Sequence, residues 1–186
     1  MREAVTALGQ AQFNGFARIS EMGPLGMISL RAKPDIKGLD KAIRAVTGTE
    51  VPGLRQIVVN KDHAAGWMSP DEYLLILPYA QTDASLASLD KALAGQHYLA
   101  VTVSDARAVF RIEGAMAEQV LAKLSPVDFA GLAPNELRRT RTAQVAAAFW
   151  RDDTGFTLIC FRSVASYVMG LLTHSALPGS ALSTQS

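Results

Sequence analysis

A short pattern occurs twice, and it constrains the fold more than any other feature of the chain. Ala64-Ala65-x-Trp67-x5-Tyr73-x-Leu75-Ile76 is repeated as Ala147-Ala148-x-Trp150-x5-Phe156-x-Leu158-Ile159, with the two tryptophans 83 residues apart. Each copy has two apolar stretches around a turn, which is a hairpin signature. Recurrence at a fixed offset points to a duplicated unit.

The elements around each copy follow one order. Met27 to Arg31 reads as a strand, and Ile36, Leu39, Ile43 and Val46 form one stripe of an amphipathic helix closed by Gly48. Arg55 to Val59 and Tyr73 to Leu77 read as strands. Leu86, Leu89 and Leu93 share a face of a second helix from about Thr82 to Ala94, capped by Thr82 or Asp83, and Tyr98 to Val103 alternates as a strand. This is the β-α-β-β-α-β order of a ferredoxin-like unit.

After Ser104-Asp105 the order restarts. Arg107 to Ile112 is a strand, and Ala117, Val120, Leu121 and Leu124 stripe a helix. Thr142 to Trp150 with Phe156 to Phe161 forms the hairpin, and Val164, Val168, Leu171 and Leu172 stripe a last helix. The second unit therefore lacks its final strand, or takes it from elsewhere. The expected organisation is one α+β domain over residues 27–174, made of half-repeats 27–104 and 105–174. Residues 1–26, rich in glycine and without a period, read as an extended arm that is ordered only where it lies on something. Residues 175–186 read as a disordered tail.

At 186 residues with 49% hydrophobic content, the chain can fill two small fused cores. Net charge is +1, with ten basic and ten acidic side chains in residues 1–95 and eight and seven in the remainder. That balance makes no demand for nucleic acid. No run reaches the length of a membrane span, and the single cysteine cannot form an internal disulfide. A reducing cytoplasm is the expected compartment, without export or membrane attachment.

Asp71 and Glu72, adjacent carboxylates after Ser69-Pro70, become Thr154 and Gly155 in the second copy. The hairpin does not need them, and proline at the second place of a turn suits its fixed φ. A structural reading is preferred to acid/base chemistry, whose partners converge from separate positions. His63, His97 and His174 lack ligand spacing, so no metal site is expected. Nor does the chain contain G-x-S-x-G, G-x-G-x-x-G or a phosphate-loop lysine motif, and no catalytic residue is assigned. Cys160, flanked by apolar residues, reads as buried and inert.

Two polar features remain open. Arg138-Arg139-Thr140-Arg141-Thr142 is the densest basic patch; it reads either as a solvated loop or as a contact for phosphates, folate glutamates or an acidic subunit surface. Asp128 caps a turn or binds a ligand amine. Asp128, Arg139 and Arg141 are the candidate lining of a binding site.

Four segments together carry a resemblance that covers roughly residues 27 to 174. They are Gly66-Trp67-Met68-Ser69-Pro70-Asp71-Glu72-Tyr73-Leu74-Leu75; Arg111-Ile112-Glu113-Gly114 leading to Leu121-x-x-Leu124-x-Pro126-x-Asp128-Phe129; Arg141-Thr142-Ala143-Gln144-Val145; and Phe161-Arg162-Ser163-Val164-Ala165-x-Tyr167. In order and spacing they resemble the gamma subunit family of heterotetrameric sarcosine oxidase, a relative of the folate-binding aminomethyltransferase fold. The resemblance implies an accessory subunit that binds chiefly the alpha subunit, alongside beta and delta. It implies that FAD, FMN, NAD and tetrahydrofolate belong to the other chains and that this chain binds no cofactor. Two rival readings are a free-standing folate-binding protein of the same fold and a stand-alone dimeric binding module.

Overall fold

The computed structural model describes residues 4–182. Within this range the chain divides into two compact units. One is Pro24–Asp105; the other joins the residues up to Gly23 to those from Ala106 onward.

In the unit Pro24–Asp105, β3 (Leu25–Ala32) is followed by α1 (Leu39–Thr47), β4 (Ile57–Asn60), β5 (His63–Ser69), β6 (Glu72–Pro78), α2 (Thr82–Ala92) and β7 (Tyr98–Thr102). The strands form one antiparallel sheet in the order β4-β5-β6-β3-β7. Leu39, Ala42, Ile43 and Val46 of α1, with Leu89 of α2, pack on Ile28, Leu30, Leu75 and Leu77. Helical spacing meets strand alternation along this face, and the apolar area it removes from water is the main stabilisation of the unit. Gly48 ends α1 in the left-handed conformation, its N–H reaching Arg44 O, as the helix stripe predicts. At the start of α2, Gln81 rather than Thr82 or Asp83 holds the cap position. The Thr82 hydroxyl instead donates back to Tyr79 O at 2.8 Å, within a 3-10 turn over Tyr79–Gln81.

The other unit contains β1 (Gln12–Asn14), β2 (Arg18–Met22), β8 (Arg107–Glu113), α3 (Ala117–Ala122), β9 (Arg138–Thr142), β10 (Val145–Asp152), β11 (Gly155–Phe161) and α4 (Ala165–Ser175). Its antiparallel sheet runs β1-β2-β8-β11-β10-β9. A 3-10 turn over Arg162–Val164 precedes α4, 83 residues after the turn that precedes α2. Phe129, Phe149 and Phe156 form the aromatic centre of the core. Phe129 and Phe149 stack at 5.6 Å between centroids, and Phe156 meets both edge-on.

Two expectations are corrected here. Within the described residues, the segment 1–26 is no arm: β1 and β2 form a hairpin, and β2 pairs with β8 as β7 pairs with β3. The missing fourth strand of the second repeat is thus supplied from upstream of the first. Ala17, just before β2, and Ile19 of β2 are buried in that core. The buried Glu21 carboxylate accepts hydrogen bonds from the backbone N–H groups of Leu8 and Gln10, and Arg162 donates to Val5 O and Thr6 O, which ties residues 5–10 down. The tail is also held, as far as it is described. Lys123 Nζ donates to Ser175 O at 2.6 Å and to Ser180 O at 2.5 Å, placing a cation on the carbonyl end of α4. Residues 1–3 and 183–186, included in those two readings, lie outside the described residues.

The hairpins match in their turns and differ in register. Ser69 opposes Glu72 as Asp152 opposes Gly155, but β5 has a bulge between Trp67 and Ser69. The extra residue, Met68, shifts the pairing by one position, and in a strand that exchanges faces. Trp67 opposes Tyr73 and faces the helices, whereas Trp150 opposes Thr157 on the other face.

Candidate functional site

The densest polar arrangement surrounds Arg111 of β8. β8 and β11 are paired strands, so Arg111 lies opposite Thr157 and its side chain reaches the β10–β11 turn. Its guanidinium donates to Thr157 Oγ1 at 3.0 Å, to Asp152 Oδ1 at 2.5 Å and to Thr154 Oγ1, and Glu113 lies 3.7 Å from its Nε. Arg111 is only 9% exposed, so these acceptors replace the water it gives up. Burial acts to raise the Asp152 carboxyl. Hydrogen bonds from Arg111 and Thr154 outweigh burial and hold it below the ordinary carboxylate value. A carboxylate held in that state is a poor proton acceptor at neutral pH.

Above this cluster lies a cleft of about 640 Å³ whose lining includes Gly114, Glu118, Pro134, Arg151, Asp153 and Thr154. Arg151 and Glu118 approach to 3.6 Å within it. The geometry fixes a turn and a cleft wall by mutual neutralisation. Among the described residues, no buried side-chain nitrogen or oxygen lacks a hydrogen-bond partner.

The sequence-predicted candidates fall elsewhere. Asp128 is exposed and accepts the Ala130 N–H at 3.1 Å, which is a turn cap. Arg139 and Arg141 are exposed on β9, the last strand of its sheet, and lie opposite Ala148 and Ala146. Arg138, one position out of phase, is half-buried and paired with Glu136 at 2.7 Å.

Asp71 closes the turn, and Glu72 ties the start of β6 to β3. Asp71 Oδ1 accepts from Ser69 Oγ at 2.9 Å, and the buried Glu72 accepts from Ser29 at 3.3 Å and from Arg31 at 3.4 Å. His63 bonds Asp62 and Gln81, while His97 and His174 are exposed. No group of metal-ligating side chains assembles among the described residues, nor is any described helix long and apolar enough to cross a membrane. Cys160 is fully buried, and burial pushes its thiol up to about 11. The buried Arg111 and Glu21 were not singled out from the sequence. The only available signal for Arg111 was a charge within the strand Arg107–Ile112, on the face opposite Ala108, Phe110 and Ile112.

Solved structures repeat this architecture. A heterotetrameric sarcosine oxidase from Corynebacterium sp. U-96, in complex with pyrrole 2-carboxylate, aligns over 89% of this chain and 87% of its own, with a TM-score of 0.79 and 24% identity. Aminomethyltransferase T of the glycine cleavage system from Bartonella henselae aligns over 85% of this chain with a TM-score of 0.63 and 13% identity; the match spans 45% of its length. The regulatory subunit of aspartate kinase from Thermus thermophilus matches at 0.51 and 17% identity. Among curated protein sequences, nothing matches.

The sheet topology defines a doubled ferredoxin-like α+β protein whose fold is like that of the aminomethyltransferase T structure. The family model described as the sarcosine oxidase gamma subunit family matches residues 33–176. This chain belongs to that family.

Proposed function

We propose that this chain is the non-catalytic accessory subunit of a cytoplasmic heterotetrameric sarcosine oxidase. The complex would oxidatively demethylate sarcosine to glycine, release hydrogen peroxide and pass the one-carbon unit to tetrahydrofolate when that acceptor is present. The observation that carries this reading is family membership across residues 33–176, joined to a fold similarity that spans most of both chains. A supporting observation is chemical: the polar side chains beneath the cleft are engaged with one another, and Asp152 is held as an anion by Arg111. In this reading FAD, FMN, NAD and tetrahydrofolate are held by the alpha, beta and delta chains. This chain associates chiefly with alpha.

Purification of the chain alone and after co-expression with candidate alpha, beta and delta chains tests the proposal. The expected result is a colourless chain that joins a yellow, sarcosine-oxidising assembly. A chain that binds flavin or folate by itself would overturn the non-catalytic assignment. Failure to join any flavin-bearing chain would overturn the subunit assignment.

A further inference from the structure

The four outer strands of the two sheets are not treated alike. β1, β4 and β7 have no arginine or lysine within their spans, although Leu99 and Val101 of β7 are 53% and 39% exposed. Charge is a common guard against edge-to-edge pairing. Here the most apolar exposed edge lacks it, so general edge protection does not account for the charges on β9. There, three of five residues are arginines.

Their phase gives these arginines a direction. Thr142 is fully buried and Thr140 half-buried, while Arg139 and Arg141 are exposed on the opposite face of the strand. Residues two apart on a strand stand roughly 7 Å apart on one side. An added strand with acidic residues at every second position would oppose both guanidiniums. Beneath them lie Ala148 and Ala146, too small to cover the arginine heads. Arg141 has no ion pair or hydrogen bond from its side chain among the described residues. β9 is bonded on one side by β10, and its other edge carries no backbone hydrogen bond within Arg138–Arg141 among the described residues.

We propose that the open edge of β9 accepts an acidic, extended segment of a partner subunit, which pairs as an additional strand while its carboxylates meet Arg139 and Arg141. Backbone pairing would supply affinity, and charge complementarity would supply register and rate. The inference rests on the subunit reading for the source of the segment. It assigns to this chain a specific place and chemistry of attachment.

The test uses the full-length chain and a synthetic acetylated hexapeptide with glutamate at every second position and threonine between. The expected result is binding that protects backbone amides of Arg138–Thr142 from exchange and weakens with salt. Combined Arg139→Glu and Arg141→Glu should weaken it about tenfold or more at unchanged Tm. If that reversal lowers Tm, Arg141→Gln replaces it, with about threefold weakening expected. Equal binding of the same peptide with a central proline, equal binding of inorganic polyphosphate, or affinity unchanged by these substitutions would overturn the proposal. In the assembled complex, the double variant should lose co-purification with the flavin-bearing chains. Retention at wild-type level would overturn the edge assignment while leaving the subunit reading intact. If the wild-type chain joins no such assembly, the subunit reading fails, and the peptide result alone decides whether β9 is an acidic-strand acceptor.

Discussion

Ile19 lies directly opposite Ile112 in the β2–β8 pair, and both side chains are completely buried although they stand far apart in the sequence. The pair marks the place where a strand from upstream of the first repeat enters the core of the second. Ile19→Ala should lower unfolding free energy by about 2–5 kcal/mol, measured by chemical denaturation. A chain lacking residues 1–23 should lose the cooperative unfolding of this unit rather than merely its association with partners. A wild-type unfolding curve from the truncated chain would show that β2 is dispensable.

The two tryptophans should not behave as equivalents. Trp150 is 7% exposed, whereas Trp67 is half-buried at the rim of its core. Trp150→Ala is expected to cost about 3–5 kcal/mol and Trp67→Ala distinctly less, in parallel denaturant titrations. The reverse order would contradict the bulge at Met68.

Gly155 has φ of +153°, and a Cβ there would lie 2.1 Å from Ile112 O. Backbone atoms on a central strand cannot move aside cheaply. Gly155→Ala should destabilise the chain by at least about 1–3 kcal/mol, read as a fall in Tm.

Asp152 couples the Arg111 cluster to pH. Its folded-state value lies below the ordinary carboxylate value because the Arg111 and Thr154 hydrogen bonds outweigh the opposing effect of burial. A depressed carboxylate stabilises the fold above its unfolded pKa, and that contribution disappears as pH falls through the lower folded value. The stability difference between wild type and Asp152→Asn should therefore be full at neutral pH and shrink below about pH 4. A difference that grows on acidification would reverse the assignment.

Cys160, with its thiol pushed up to about 11 by burial, should resist an aromatic disulfide reagent at pH 8 in the native chain. In denaturant one thiol per chain should react, because the sequence contains only Cys160. Rapid native reaction would place that residue at the surface.

The regular elements were legible where spacing carried them. Leu39, Ile43 and Val46 announced α1, and the paired Ala-Ala-x-Trp patterns announced the hairpins and the duplication. The fourth strand of the second sheet was hidden for a physical reason: Ala17, Ile19 and Glu21 face its core, but one of the three is a carboxylate satisfied by backbone N–H groups from residues 8 and 10. Short alternation interrupted by glutamate reads as loop. The bulge at Met68 was equally invisible, since it changes which residues oppose one another without changing the pattern that aligns. Of the candidate site, the arginines on β9 were visible as composition, and Asp128 as a turn residue. Arg111 was not, because its burial depends on Asp152, Thr154 and Thr157 arriving from the β10–β11 hairpin.

The upstream origin of β2 also orders events on the ribosome. At about 5–20 residues per second, Pro24–Asp105 is finished as a unit before β8 exists, so for several seconds β2 has only β1 to pair with and no core to enter. Translation speed and chaperone capture of that waiting segment therefore become determinants of yield, even though the segment is made before either core is complete.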